Sequence, residues 1–172
     1  YGRVESVAIP ECVLFRGATV WTCGPKGILE AADVLVRDGK IIAVDLSIEA
    51  PAGCEVIDVT GKHLSPGIID CHSHMATDGG VNESAQVVTA EVRIGVDHTD
   101  VNLYRQLAGG VTMANVLHGS ANPIGGQNQV IKLLWGDSMH EVKFDLAPSG
   151  IKFALGENVK RSNRAGSQTR YP

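Results

Sequence analysis

The 172-residue sequence predicts an α/β protein in two parts: an all-β segment over residues 1–63, then a region of strand–helix alternation over residues 64–172. Three observations predict this. Between residues 12 and 60, short apolar runs alternate with turn residues, and no helix-period stretch intervenes. At Ser65-Pro66-Gly67 the pattern changes to a short apolar strand that ends in two histidines one residue apart. Beyond residue 99 a helical stretch is followed by further strands, the order expected of a parallel sheet.

Residues 1–10 carry little pattern and read as a tail or an edge strand. Residues 13–20 read as a strand, with Gly24-Pro25 marking the loop after it. Residues 33–37 and 40–44 flank Asp38-Gly39, a pair favoured in tight hairpin turns because both positions take positive φ. Residues 55–59 form the next strand, between Pro51-Ala52-Gly53 and Gly61. Residues 64–69 lead into the histidines, and residues 77–82 (TDGGVN) read as a flexible loop of the kind that covers an active site. Thr99-Asp100 caps a helix over residues 101–108, with Leu103, Tyr104, Leu107 and Ala108 as its apolar face, and Gly109-Gly110 stops it. Residues 111–117, 129–134 and 151–155 read as the second, third and fourth strands of this region.

The histidines carry the chemistry. Alternate residues of an extended chain share a face, so His72 and His74 offer two imidazoles to one metal ion while Ser73 points away. The competing reading is two polar residues in an ordinary loop; the strand before them and Asp70 argue against it. Cys71 faces opposite to His72 and has packing as its expected role. Composition is that of an ordinary globular protein, with 44% apolar and 20% charged residues. A net charge of −4 leaves no basic footprint, so neither nucleic acid nor an anionic membrane is an expected partner. No apolar run approaches the ~18 residues of a membrane helix. Cys12, Cys23, Cys54 and Cys71 form no Cys-x-x-Cys pair and do not read as a disulfide framework. The compartment stays open between cytoplasm and periplasm or exterior.

Residues 64–74 (LSPGIIDCHSH) resemble the first barrel strand of the amidohydrolase superfamily, metal-dependent hydrolases with a distorted (β/α)8 barrel. Residues 32–44 (ADVLVRDGKIIAV) resemble the N-terminal β-domain of the same enzymes. Residues 102–112 (NLYRQLAGGVT) and 118–127 (HGSANPIGGQ) are similar to a subgroup near imidazolonepropionases and related dipeptidases. The resemblance runs from about residue 13 to the C-terminus in the family's own order.

It implies a small β-sandwich-like domain followed by the first roughly four βα units of a TIM-like barrel, incomplete in this chain. Such a barrel takes about 250 residues, and only residues 65–172 follow the β segment. The expectation is therefore a fragment, inactive when isolated, with the remaining barrel segment in the same or another chain and a homo-oligomer as the assembly. The implied activity is hydrolysis of amide, cyclic amide or peptide C–N bonds by metal-activated water, on a small-molecule substrate. A non-catalytic scaffold or binding protein of the same fold is the alternative. The cofactor is one or two divalent ions, zinc first, with Fe, Mn and Ni open. Many family members bridge two metals with a carboxylated lysine at the end of strand four, and Lys152 best resembles that residue. Glu157, already a carboxylate in the loop after the strand, competes for the same role. The family's acid/base aspartate and two further histidines come from later strands, so the catalytic residue is unknown here. Asp70 is expected to orient a ligand from behind. His118, Asn122 and Gln127, in a Gly-rich loop on the metal face, are expected to hold substrate. His63 belongs on the opposite, stability face of the barrel, and His98 and His140 on the surface. Lys160, Arg161 and Arg164 form a basic cluster best read as a solvated face.

Overall fold

Asp38 and Gly39, at φ of 50° and 70°, turn the chain through a hairpin in the computed structural model, which describes residues 10–78, 86–156 and 159. Two compact units divide the chain, Tyr1–Pro66 and Gly67–Pro172.

The first unit is built around β1 (Cys12–Trp21). Along it Cys12, Leu14, Ala18 and Val20 are buried, the alternation expected of a strand with one inward face. β2 (Ile28–Arg37) pairs antiparallel with β1, and β3 (Lys40–Asp45) pairs antiparallel with β2 through the Asp38-Gly39 turn, Arg37 opposite Lys40. On the other side of β1 lie β4 (Glu55–Asp58) and β5 (His63–Leu64), both parallel to it. The result is one five-stranded mixed sheet. Val34 and Leu35, successive residues on opposite faces, are both buried, so the sheet carries a cluster on each side. Asp33 is 4% exposed among these apolar groups. Its carboxylate accepts the Gly17 and Ile48 N–H groups at 3.0 Å each and lies 3.6 Å from Arg16 Nε.

The cysteines depart from expectation. Cys12 and Cys54 form a disulfide with Cα atoms 4.7 Å apart. The parallel register that sets Val13 opposite Glu55 brings their neighbours Cys12 and Cys54 side by side. A sequence separation of 42 leaves no local motif to announce this.

The second unit begins with β6 (Ile68–Ser73), α1 (Val101–Ala108) and β7 (Val111–Val116), and β7 runs parallel to β6. α1 has the expected ends. Asp100 accepts the Asn102 N–H at 2.9 Å, and Gly109 donates back to the carbonyls of the last turn. Its apolar face is narrower than expected: Leu103 is fully buried, whereas Tyr104 and Leu107 are exposed. Leu103 joins Ala114, Val116, Ile131, Leu133 and Val142 in the main core of the unit.

After β7 the strand pairing diverges from a run of parallel βα units. β8 (Ile124–Gln127) lies inside the stretch read as a loop. β9 (Gln129–Lys132) pairs antiparallel with β7, and β10 (Ile151–Phe153) pairs antiparallel with β8. The described sheets are thus β6-β7-β9 and β8-β10. A parallel return requires a crossover, usually a helix, and residues 117–128 hold none. α2 (Met139–Val142) is a single turn whose Ser138–Glu141 capping box closes its start. No helix among the described residues is long and apolar enough to cross a membrane. The expected loop over residues 77–82 lies mostly outside the described residues, as do Glu157, Lys160, Arg161 and Arg164.

Candidate metal centre

The histidines emerge where β6 ends. Ser73 is buried while His72 and His74 are exposed on the other side, as the two-residue period of a strand demands. Asp70 Oδ1 accepts the His72 backbone N–H at 3.1 Å, just where the β6–β7 register shifts, between Asp70 and Ser73. Asp70 therefore acts on His72 through the backbone. Leu117, the residue after β7, makes the second anchor. Its N–H donates to Ser73 O at 2.9 Å, and its carbonyl lies 2.9 Å from His74 Nδ1. A carbonyl only accepts, so Nδ1 carries the proton and the neutral ring presents a bare lone pair at Nε2.

The His72 and His74 rings meet edge to face, with their Nε2 atoms 3.3 Å apart. Two nitrogens bound to one tetrahedral ion at about 2.05 Å each would lie about 3.3 Å apart. Lys152, on β10 and 9% exposed, brings its Nζ to 3.1 Å from His72 Nε2. Burial lowers the Lys152 pKa. The His72 pKa is lowered first by the Lys152 charge and then by burial and His74, with Asp70 opposing. The net effect on both groups favours the uncharged base. Among the described residues no cluster of three His, Cys, Asp or Glu forms, so the third group beside the imidazoles is this amine. The donor set fits a divalent cation provided that Lys152 is neutral or converted to an anionic ligand.

The other expected site residues gather elsewhere. His118 is buried against Gly125 and Gly126; a Cβ on Gly126 would fall 2.3 Å from His118 Nε2, so only glycine fits there. Asn122, 1% exposed, donates its amide to Gln86 O at 2.7 Å and faces Thr89 Oγ1 at 3.4 Å. Gln127 donates to Ala90 O at 3.3 Å. These two amides hold residues 86–90 against β8. In the first unit His63 accepts the Trp21 indole N–H at 3.0 Å. His98 is half-buried and His140 exposed. Two site-region residues escaped the sequence reading. Asn115 and Asn128 bond to each other at 2.7 Å beside the metal-site strands. The available signal was a lone amide, Asn115, in a strand whose one other polar residue is Thr112.

No family model matches the chain. An amidohydrolase, tasK, of Hapsidospora irregularis is 31% identical over 196 residues, covering 92% of this chain and 20% of that protein. The crystal structure of an amidohydrolase from Thermotoga maritima aligns with a TM-score of 0.75 at 40% identity, over 87% of this chain and 40% of that one. The chain belongs to the amidohydrolase superfamily. Within it, an imidazolonepropionase of Klebsiella pneumoniae is 38% identical over 77 residues, 42% of this chain and 19% of that protein. This amidohydrolase chain thus spans about a fifth of the length of the two curated relatives and corresponds to the N-terminal portion of the family.

Proposed function

We propose that this chain is the N-terminal portion of a metal-dependent hydrolase of C–N bonds, in which His72, His74 and Lys152 hold the cation. The observation that carries the reading is the convergence of two Nε2 atoms 3.3 Å apart with a buried amine 3.1 Å from one of them. With His74 and Lys152 both beside His72, simultaneous protonation is disfavoured and the lone pairs suit a cation. The chemistry a divalent cation supplies when bound is polarisation of a scissile carbonyl and a water pKa lowered toward about 7.

The chain's own groups prepare that site. Leu117 O holds the His74 proton on Nδ1, and Asp70 sets the backbone at His72. Lys152, its ammonium form disfavoured by burial, is the group to be carboxylated. The neutral Nζ lone pair attacks the carbon of CO2, an N–C bond forms, one C=O π pair moves onto oxygen, and the amine proton leaves to solvent. The product is a carbamate whose single negative charge is shared by two oxygens, a ligand the parent ammonium cannot be. Glu157 remains the alternative third ligand. His118 packs against Gly125 and Gly126 of β8, the strand paired with the one that carries Lys152, and that place supports a role in shaping the substrate side. Any substrate contact from Asn122 and Gln127 is made by side chains whose NH2 groups already hold the 86–90 backbone.

The rest of the barrel, in the same or another chain, has an apolar surface to cover. Ile68 and Ile69 on β6 and Ile151 and Phe153 on β10 are exposed, Ile69 at 63%. Relatives named amidohydrolase and imidazolonepropionase support amide and cyclic amide bonds as the substrate class. The test is metal analysis of the full-length protein, followed by a panel of cyclic amides, dipeptides and N-acyl amino acids. The expected result is one or two divalent ions per chain and turnover of one class, abolished in His72→Ala. Absence of turnover for every class after loading with Zn2+, Mn2+ or Fe2+ would sink the reading.

A further inference from the structure

β6 and β10 carry the two halves of the candidate metal centre but belong to different sheets, so no strand pairing sets the spacing between them. A relay of side-chain amides does. Asn115 Nδ2 on β7 donates to Cys71 O, the carbonyl immediately before His72, at 3.3 Å. Asn115 Oδ1 accepts from Asn128 Nδ2 at 2.7 Å. Asn128, between β8 and β9, grips the Gly150 peptide at both ends: its Oδ1 accepts the Gly150 N–H, and its own N–H donates to Gly150 O at 3.0 Å. Gly150 lies two residues before Lys152. The relay therefore runs from the peptide beside one ligand, across β7, to the peptide that starts the strand of the other.

Its direction is forced. It begins on a carbonyl, which only accepts, and ends on an N–H, which only donates, so each amide must use NH2 toward β6 and oxygen toward β10. An Asp at position 128 keeps the acceptor for Gly150 and loses the donor for Asn115. An Ala at position 115 opens the chain in the middle. In both cases half-buried polar groups lose partners, and the strand with Lys152 is released from the strand with His72.

We propose that Asn115 and Asn128 are positioning residues of the metal centre, holding Lys152 in register with His72. This rests on the hydrolase reading above. The outer partners of metal ligands change affinity by about 10- to 100-fold when removed, and the relay belongs in that range. The test uses the full-length protein, with Zn2+ affinity from chelator competition, the visible spectrum of the Co2+ form, and melting of the metal-free form. Asn115→Ala and Asn128→Asp are compared with Leu103→Ala, a core truncation in the same unit away from the relay. The expected result is a 10- to 100-fold weaker Zn2+ affinity and an altered Co2+ spectrum in either relay variant that folds. Leu103→Ala melts lower yet keeps affinity within about twofold. Relay variants that bind Zn2+ like the parent overturn the inference and leave the hydrolase reading standing. A parent protein that binds neither metal overturns both.

Discussion

Two buried charged residues, Asp33 in the first unit and Lys152 in the second, differ in what surrounds the charge. Asp33 is 4% exposed, and its surroundings complement its charge: two backbone N–H donors and the Arg16 guanidinium. Lys152 is 9% exposed, and its amine lies 3.1 Å from another base, His72. The first arrangement stabilises the ion that is present. The second leaves it uncompensated: burial lowers the Lys152 pKa, and the Lys152 charge in turn lowers that of His72. A buried charge with complementary partners is held in place, whereas one set beside another base is a candidate for chemistry.

The largest expected effect comes from the imidazoles. His72→Ala or His74→Ala removes one of two adjacent donors, and Zn2+ affinity of the full-length protein should fall by more than about 100-fold, beyond the range for outer partners. Chelator competition measures it, and near-parental affinity in either variant would break the contrast at its reactive end. Next come the two buried ions themselves. Asp33→Asn should cost roughly 2–4 kcal/mol in urea unfolding, because two backbone N–H groups lose a charged acceptor and Arg16 its counter-charge. Metal affinity should not change. Lys152→Met should do the reverse, sparing stability because a base held among bases is lost and packing is kept, while weakening metal binding. A swap of these two outcomes would refute the comparison.

The disulfide ranks third. Reduction, or Cys12→Ser, should lower the stability of the first unit by about 2–4 kcal/mol. Intact mass before and after reduction reports whether the Cys12–Cys54 bond is present. The smallest effect is in acid. Hydrogen bonds from the Thr99 side chain and then its backbone N–H hold the Asp97 pKa below its ordinary value. A lowered folded pKa contributes stability that is present above the unfolded value and lost as pH falls through the folded one. Thr99→Ala should raise the Asp97 pKa in an NMR titration and shift the acid limb of unfolding slightly upward.

How legible each feature was depends on the distance over which it is encoded. The Asp38-Gly39 hairpin, the Asp100 cap and the Gly109-Gly110 stop were readable because each is decided by a few neighbouring residues and their φ preferences. His72-x-His74 was readable because strand periodicity alone puts both rings on one face. The approach of Lys152 to His72 is not local: 80 residues separate them, and only family resemblance pointed to it. The antiparallel pairing of β9 escaped, because an apolar run states that a strand forms, not in which direction it pairs. Asn122 and Gln127 were legible as polar residues in a Gly-rich loop; that their amides hold residues 86–90 depends on where that segment folds.

By itself, then, the sequence determined turns, caps and the shared face of His72 and His74, all set by backbone preferences over short spans. Tertiary structure decided the Cys12–Cys54 bond, the antiparallel return of β9, the Asn115–Asn128 relay and the meeting of Lys152 with His72. Those depend on which strands lie side by side, and that choice comes from burying the whole core at once, which no local stretch encodes.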